Sequence, residues 1–221
     1  MNYIILDLEM NPIHRHHKAE RRICRSEVIE IGAVGIDEYG NEKGYFKSYV
    51  MPQLNNEIQH KIQDLTGIST EMVQGAPVFA TAIRRFFKWC SSFGEFQIVQ
   101  WSTADYCQIS QEMKLKGYTP DDAETSCLDG WIDLQEELGN TIGLSRAVAL
   151  DMALCLAGID FSGRHHDALD DARNTGILLN MIRRPNEFRS ALEKVALYLK
   201  PKSQGICLGD MFDFEQLQLS A

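Results

Sequence analysis

Two acidic residues near the start of the chain, Asp7 and Glu9, are separated by one residue in the otherwise apolar run 3–9. Side chains two residues apart on a β-strand lie on the same face. Two carboxylates held side by side repel each other unless one stays protonated or a cation lies between them. Because both donors are oxygens, this pair predicts binding of Mg²⁺ or Mn²⁺ rather than Zn²⁺.

A third acidic residue in an unusual position is Asp171. If the residues from 168 onward form a helix, their side chains are spaced by about 100°. Six small or apolar residues then share one broad face: Ala168, Leu169, Ala172, Leu178, Leu179 and Ile182. Asp171 falls at the edge of this face and points inward, whereas Asp170 and Arg173 fall on the opposite side. An inward carboxylate is costly unless a proton, a cation or a metal compensates its charge, so Asp171 is also a candidate ligand.

A fourth carboxylate is predicted at the edge of a sheet. Asp105 follows a short apolar run, residues 96–101, and lies in the first turn of a helix predicted to end near Gly117. In open α/β sheets, ligands bind outside the carboxyl ends of the strands, where such helices begin. On its own, Asp105 is equally well explained as a partner of the helix dipole. Together with the other three carboxylates, it becomes a candidate metal ligand.

The elements that would position these carboxylates follow from the periodicity of apolar residues. Strands are predicted at residues 3–9, 28–36, 45–50, 96–101 and 131–134. Helices are predicted at residues 77–93, about 103–117, from a cap at Ser145 to about Ala157, from Ala168 onward, and from Pro185 to about Leu199. A chain that begins with successive strands and continues with alternating strands and helices is typical of an α/β fold. We expect a mixed sheet, three antiparallel strands and then parallel strands, with helices on both faces.

The overall composition limits the kind of ligand that the chain can bind. The 221 residues carry 22 basic and 31 acidic side chains, a net charge of −9, with 44% hydrophobic and 24% charged residues. These values are ordinary for a soluble globular protein with one main domain. The negative charge argues against broad coating of nucleic acid by a basic surface. A narrow, metal-bridged contact with a phosphate backbone stays possible.

The cysteines and the apolar runs bear on the compartment. Six cysteines are scattered without a CxxC pair, which favours small buried side chains in a reducing compartment over a disulfide framework. The first residues lack a basic region followed by an apolar run and a cleavage site. No apolar run approaches the ~18 residues of a membrane span. The sequence therefore predicts a cytoplasmic protein without a membrane contact.

Positive charge is concentrated in one loop, residues 11–23, directly after the first strand. It contains three histidines and four cations: His14, Arg15, His16, His17, Lys18, Arg21 and Arg22. The loop is either a phosphate-contacting guide for a nucleic-acid strand or a solvated mobile segment. A dedicated metal site of these histidines is disfavoured, since zinc ligands are usually fixed by regular elements.

Two further groups are interpreted as structural. Glu30 interrupts a strand that is apolar on both faces, and it is more readily explained as the partner of a basic side chain than as a functional carboxylate. The aromatic residues Phe79, Phe86 and Phe87 recur at helical spacing with Ile83 and Cys90. They predict core packing rather than a base-stacking platform.

Taken in order, these motifs resemble the DEDDh 3′–5′ exonucleases, which have a ribonuclease-H-like fold. The D-x-E motif matches residues 7–9, and the lone aspartate of a strand–helix junction matches Asp105. The third motif, H-x-A-L-x-D-A, matches residues 166–172 at every fixed position. The resemblance implies an exonuclease domain over residues 1–183, with residues 184–221 as a C-terminal helix and tail.

The resemblance also implies a role for each motif residue. Two divalent cations, Mg²⁺ or Mn²⁺, would be bound by Asp7, Glu9, Asp105 and Asp171. His166 would take the proton from the attacking water, which suits an imidazole with an unperturbed pKa near ~6.5. Glu9 would also contact the free 3′ hydroxyl. His165 and Asp170 lie one residue away from the motif positions and are disfavoured.

Finer features resemble the branch that contains the histone-mRNA 3′-end exonuclease and the bacterial KapD-like proteins, which mostly act on RNA. They lie at residues 26–32, 65–68 and 163–174. The likeness implies that the terminal nucleotide is bordered by Met10, Thr66, Gly67 and Ile68. One position departs from the branch: Ala104 stands where an aromatic residue often precedes the second aspartate. Trp101 is either a replacement for that aromatic or a buried core residue.

The function predicted from these features is metal-dependent 3′–5′ removal of 5′-mononucleotides from single-stranded nucleic acid, with RNA favoured over DNA. Two alternatives stay open, a catalytically silent nucleic-acid-binding module of the same fold and a phosphodiesterase specific for short oligonucleotides. Within the tail, residues 201–221, the mixed acidic and apolar stretch 211–219 is a possible weak docking peptide for a protein partner. The sequence does not indicate the oligomeric state.

Overall fold

The chain folds around a mixed five-stranded sheet in a computed structural model that describes residues 1–143 and 147–199. The strands are β1 (Asn2–Pro12), β2 (Ser26–Ile36), β3 (Glu42–Tyr49), β4 (Phe96–Gln100) and β5 (Ile132–Asp133). Their order across the sheet is β3-β2-β1-β4-β5. β1 is antiparallel to β2 and parallel to β4. The predicted α/β fold, with three antiparallel strands followed by parallel strands, is confirmed.

The helices of the described residues surround this sheet. They are α1 (His60–Thr66), α2 (Thr70–Val73), α3 (Phe79–Ser91), α4 (Ala104–Lys116), α5 (Asp122–Ser126), α6 (Leu134–Ile142), α7 (Leu150–Ala157), α8 (Ala168–Arg183) and α9 (Pro185–Leu199). A short 3-10 helix, Glu20–Arg22, lies in the basic loop. The proposed cap Ser145 lies outside the described residues, and so does the tail from residue 200 onward.

Two hydrophobic cores lie on opposite faces of the sheet because the side chains of β1 alternate. Ile5 belongs to the core formed with α6, α7, α8 and α9. Ile4 and Leu6 belong to the other core, where Phe86 and Phe87 of α3 are completely or almost completely buried. The prediction that the α3 aromatics are core residues is confirmed. Asp7 and Glu9 share the face of Ile5, so they point towards α8.

The C-terminal helix α9 packs on the first of these cores through Leu192 and Val195. The division of the chain at residue 183 stays a prediction. The five cysteines within the described residues are all free. Cys24, Cys90 and Cys127 are buried, and Cys107 and Cys155 are exposed. No helix in the described part of the chain is both long and apolar enough to cross a membrane.

Candidate active site

A cavity of about 490 Å³ opens at the carboxyl-terminal half of β1, beside the start of α8. Four of the predicted site residues line it: Asp7, Glu9, His166 and Asp171. Met10 and Trp101, which were predicted to contact the substrate, also line the cavity. The structure therefore brings the first and third sequence motifs, about 160 residues apart, into one cleft.

Glu9, His166 and Asp171 form the tightest group in the cleft. One potential ligand atom from each of them lies within 4.8 Å of the other two. Nδ1 of His166 is 3.9 Å from Oε1 of Glu9. The backbone N–H of His166 donates to Oδ2 of Asp171 at 2.9 Å. Such a group of two carboxylates and an imidazole is compatible with a divalent cation.

The pKa values of Asp7 and Glu9 are affected both by burial and by several acidic neighbours. Burial raises the pKa of Asp7 well above its usual value, and the charges of Asp105, Asp171 and Glu9 raise it further. Burial, followed by the charge of Asp171, raises the pKa of Glu9 to about 8. Bringing all four carboxylates together in ionised form is therefore costly without a compensating cation.

Asp105 reaches the cluster from the opposite face of the sheet. It is 6% exposed and lies in the first turn of α4, as predicted. Burial raises the pKa of Asp105 to about 7, although a hydrogen bond from the backbone N–H of Leu8 works in the opposite direction. That bond ties the side chain to the residue between Asp7 and Glu9. All four predicted metal ligands thus lie in one acidic cluster.

The start of α8 is fixed on the sheet by a network of charged groups. Asp167 caps the helix by accepting the backbone N–H groups of Leu169 and Asp170. Lys47 of β3 forms ion pairs with both Asp167 and Glu30. Oε2 of Glu30 accepts the backbone N–H of Ala168 at 3.1 Å. The prediction that Glu30 is the partner of a basic side chain is confirmed.

A close backbone contact also places α8 next to Asp7. Gly32 of β2 lies directly opposite Asp7 in the sheet. A Cβ atom at this position would lie 2.2 Å from the carbonyl carbon of Ala168. Only a glycine allows the first residue of α8 to approach the sheet this closely. The close approach sets the position of the helical turn that carries Asp171.

His166 has an uncommon backbone conformation for a residue with a side chain. Its φ of 61° is the only positive value among the described residues other than glycine. The two neighbouring aspartates of α8 hold the loop before it, because Asp170 accepts the N–H of Arg164 and Asp171 accepts the N–H of His166. Burial lowers the pKa of His166, and the charge of the nearby His165 lowers it further. The imidazole is therefore neutral at neutral pH.

The other predicted substrate contacts are distributed over two places. Trp101 is 9% exposed, and its Nε1 donates to the carbonyl oxygen of Val148 at 3.1 Å, so it is both a buried residue and a wall of the cavity. The turn of Thr66, Gly67 and Ile68 does not line this cavity. The turn lies instead beside the loop that precedes α8. The guanidinium group of Arg164, in that loop, is so close to Gly67 that a Cβ atom on Gly67 would overlap it.

One wall of the cavity was not identified from the sequence. It is formed by the start of α7 and by the loop before α8: Ala149, Leu150, Asp151, Phe161 and His165. The ring of His165 stacks on Phe161 with a centroid separation of 3.8 Å. Apart from His165, which lies one residue from the motif position of His166, these residues belong to no motif with recognisable spacing. Only the packing of α7 beside α8 brings them to the cleft.

A family model and several known proteins match this chain. The model of the exonuclease family, RNase_T, matches residues 4–179. ERI1 exoribonuclease 2 of Mus musculus is 29% identical over 182 residues, which are 74% of this chain and 25% of that protein. 3′-5′ exoribonuclease 1 of Rattus norvegicus is 26% identical over 158 residues, 67% of this chain and 44% of that protein. The chain thus spans less than half the length of these two relatives.

Solved structures support the same fold. The nuclease domain of 3′hExo, described as a DEDDh family member bound to rAMP, superposes with a TM-score of 0.68 at 22% identity, covering 84% of this chain and 92% of that chain. Cell-death related nuclease 4 superposes with a TM-score of 0.69 at 24% identity, covering 84% of this chain and 64% of that chain. With the family match over most of its length and the acidic cleft in place, this chain belongs to the RNase_T family of exonucleases and has the ribonuclease-H-like fold of its DEDDh members.

Proposed function

We propose that the protein is a metal-dependent exonuclease that removes 5′-mononucleotides from the 3′ ends of single strands, with RNA favoured over DNA. The observation that carries this proposal is the convergence of Asp7, Glu9, Asp171 and His166 in one open cleft, with the buried Asp105 close enough to act on Asp7. The preference for RNA is supported by the relatives, two of which are named as exoribonucleases. The sequence features of the RNA-acting branch favour the same preference.

The donor set fits hard divalent cations. We infer that Asp7, Glu9, Asp105 and Asp171 hold two Mg²⁺ or Mn²⁺ ions, since carboxylate oxygens suit these metals. Burial and the charges of neighbouring carboxylates raise the pKa of Asp7 and of Glu9. Such raised values are expected for carboxylates of a cation site when no cation is bound. When bound, the ions supply positive charge that stabilises the developing negative charge on the phosphate.

The chain itself supplies the proton acceptor. A neutral imidazole at His166 can accept the proton of an attacking water, and its lowered pKa keeps it in the required form near neutral pH. The N–H bond to Asp171 and the strained backbone fix the position of the ring's attachment point. His166 thus combines a ring of which about half of the surface is exposed with a backbone held by a hydrogen bond.

Two side chains of the cleft are suited to the terminal nucleotide. Trp101 is held by its bond to Val148 and offers a fixed apolar wall, and Met10 lies on the same cavity. Since Ala104 cannot stack on a base, we propose that these two residues provide the apolar contacts. We infer that Glu9, which lines the same cavity, accepts a hydrogen bond from the 3′ hydroxyl.

The test uses 5′-labelled single strands of RNA and DNA with Mg²⁺, Mn²⁺ or a chelator. We expect a ladder that shortens from the 3′ end only with metal, and that is lost in Asp7→Asn, Asp171→Asn and His166→Ala. Asp170→Asn is the matched control, because an asparagine there can still accept the N–H of Arg164. It should retain most of the activity.

Each other outcome would contradict the proposal in a different way. Tight binding without a ladder on any strand would indicate the silent binding module. Activity confined to strands of a few nucleotides would indicate the oligonucleotide phosphodiesterase. Cytoplasmic localisation and a weak partner for the tail stay predictions, and the tail lies outside the described residues.

A further inference from the structure

A second cavity, of about 540 Å³, lies at the end of β1, and we name it the loop cleft. One wall is the basic loop, which contributes His14, Arg15 and Arg21. The other wall is the segment before and at the start of α1, which contributes Asn55, Glu57 and His60. None of these residues lines the cavity of the candidate active site.

The floor of the loop cleft is built from buried hydrogen bonds. Asn11 is completely buried, and its Nδ2 donates to the carbonyl oxygen of Glu57 at 3.0 Å. Its Oδ1 accepts the backbone N–H of Gln59 at 3.1 Å. Asn55 donates in turn to the carbonyl oxygen of Pro12 at 2.8 Å. These bonds tie both walls to β1, so the loop cleft has a defined shape.

The basic wall is ordered and carries cations without acidic partners. Arg21 donates to the carbonyl oxygen of Ile13, and this bond folds the loop over the end of β1. Within residues 1–143 and 147–199, Arg15, Lys18 and Arg22 form no ion pair, and the one ion pair inside the basic loop joins His17 to Glu20. The other eleven ion pairs of that part of the chain lie elsewhere. In a chain with a net charge of −9, such a local excess of positive charge attracts anions.

Two elements connect the loop cleft with the candidate active site. Along β1, Pro12 is three residues beyond Glu9, which corresponds to about 10 Å at the usual rise of a strand. Helix α1 begins at His60 in the loop cleft and ends at Thr66, next to the Gly67 turn that contacts Arg164. A single strand whose 3′ end lies in the acidic cleft therefore needs to extend only a short distance to reach the loop cleft.

We propose that the loop cleft binds a backbone phosphate of the substrate strand upstream of its 3′ end, with Arg15 as the main phosphate ligand. This inference rests on the proposed exonuclease function. Arginine is suited to the role because its guanidinium group forms paired hydrogen bonds with phosphate oxygens. Since RNA and DNA share this phosphate, the loop cleft contributes affinity and a preference for longer strands without distinguishing the two.

The experiment measures binding by the whole 221-residue chain in the presence of chelator, so that no strand is degraded. Fluorescence anisotropy gives the Kd of labelled dinucleotides and of strands of about ten nucleotides, as RNA and as DNA. Arg15→Gln is compared with Arg85→Gln, which removes the same charge from an exposed position on α3. We expect Arg15→Gln to raise the Kd of the longer strand several-fold and to reduce the gain in affinity from dinucleotide to longer strand.

The salt dependence gives a second readout that a change in folding would not mimic. Removing one phosphate contact should lower the slope of log Kd against log salt by about 0.7 for a single strand, for RNA and DNA alike. Arg85→Gln should leave both the slope and the length dependence at wild-type values.

The proposal is overturned if Arg15→Gln binds both strand lengths with the wild-type Kd and salt slope, or if Arg85→Gln has the same effect. Failure of the proposed function is a separate result. If the wild-type protein shortens no strand with metal but its binding depends on Arg15, then the exonuclease proposal fails and the loop cleft stands. If shortening occurs but the length dependence does not require Arg15, the loop cleft alone is rejected.

Discussion

Buried carboxylates in two regions of the molecule have opposite surroundings. Glu27, at the start of β2, is completely buried, yet its oxygens accept the backbone N–H groups of Gln53, Leu54 and Asn55. Lys116 of α4 adds an ion pair. In the acidic cluster, by contrast, burial raises the pKa of Asp7, and the charges of the neighbouring carboxylates raise it further.

This difference shows that burial of an acidic side chain does not by itself identify a functional site. Buried charges in a folded protein are normally satisfied by hydrogen bonds and counter-charges. Glu27 meets that requirement with groups of the chain itself, whereas the acidic cluster requires a compensating cation from outside the chain. Glu30 is the intermediate case, because it lies opposite Glu9 in the sheet but is paired with Lys47.

The largest effect is expected for Asp7→Asn. Loss of a metal-binding carboxylate should remove several kcal/mol of transition-state stabilisation, which corresponds to a rate lower by about three orders of magnitude. Without metal, the same change should raise the melting temperature, since it removes repulsion inside the cluster. Strand-shortening rates and thermal unfolding in chelator test both parts. A lower melting temperature in chelator would show that Asp7 is satisfied in the way that Glu27 is.

A smaller effect, on stability, is expected for Lys116→Met. It leaves Glu27 buried without its counter-charge, and breaking such a buried pair costs about 3 kcal/mol in the free energy of unfolding. Chemical denaturation measures the loss, and Lys114→Met, at an exposed position two residues earlier on α4, is the matched control. Equal stability of the two variants would mean that the backbone N–H groups alone satisfy Glu27.

The smallest effect is expected for Lys47→Met, which converts Glu30 from a paired to an unpaired carboxylate. The start of α8 loses the bridge to Asp167, and a hydrogen bond to a charged group contributes about 1.5 kcal/mol. We therefore expect activity to fall by about tenfold. Lys47→Arg, which keeps the charge, should restore most of it. If both variants lose activity equally, the position of α8 does not depend on this charge.

The strands and helices that carry the site could be predicted from the sequence because local periodicity determines them. The alternation around Asp7 and Glu9 and the helical face beside Asp171 identified three of the four carboxylates of the acidic cluster, and α9 has the bounds expected from Pro185. Asp105 required a different argument, from its place at the end of a strand. Its position in the first turn of α4 agrees with that argument.

Contacts between distant parts of the chain could not be predicted. Lys47 and Asp167 are 120 residues apart, and nothing in their immediate neighbours indicates that they pair. Glu27 is flanked by Ser26 and Val28, and nothing in these neighbours indicates its complete burial. The α7 wall of the cavity was missed for the same reason, since it depends on how α7 packs and not on a local pattern.

The left-handed backbone at His166 affects how this residue should be probed. Glycine, asparagine and aspartate accept a positive φ more readily than alanine does. A rate measured for His166→Ala therefore combines loss of the imidazole with a conformational penalty in the loop. His166→Asn removes the ring while keeping a residue that tolerates the turn, so the difference between the two variants reports how much of the defect is due to loop geometry and how much to lost proton transfer.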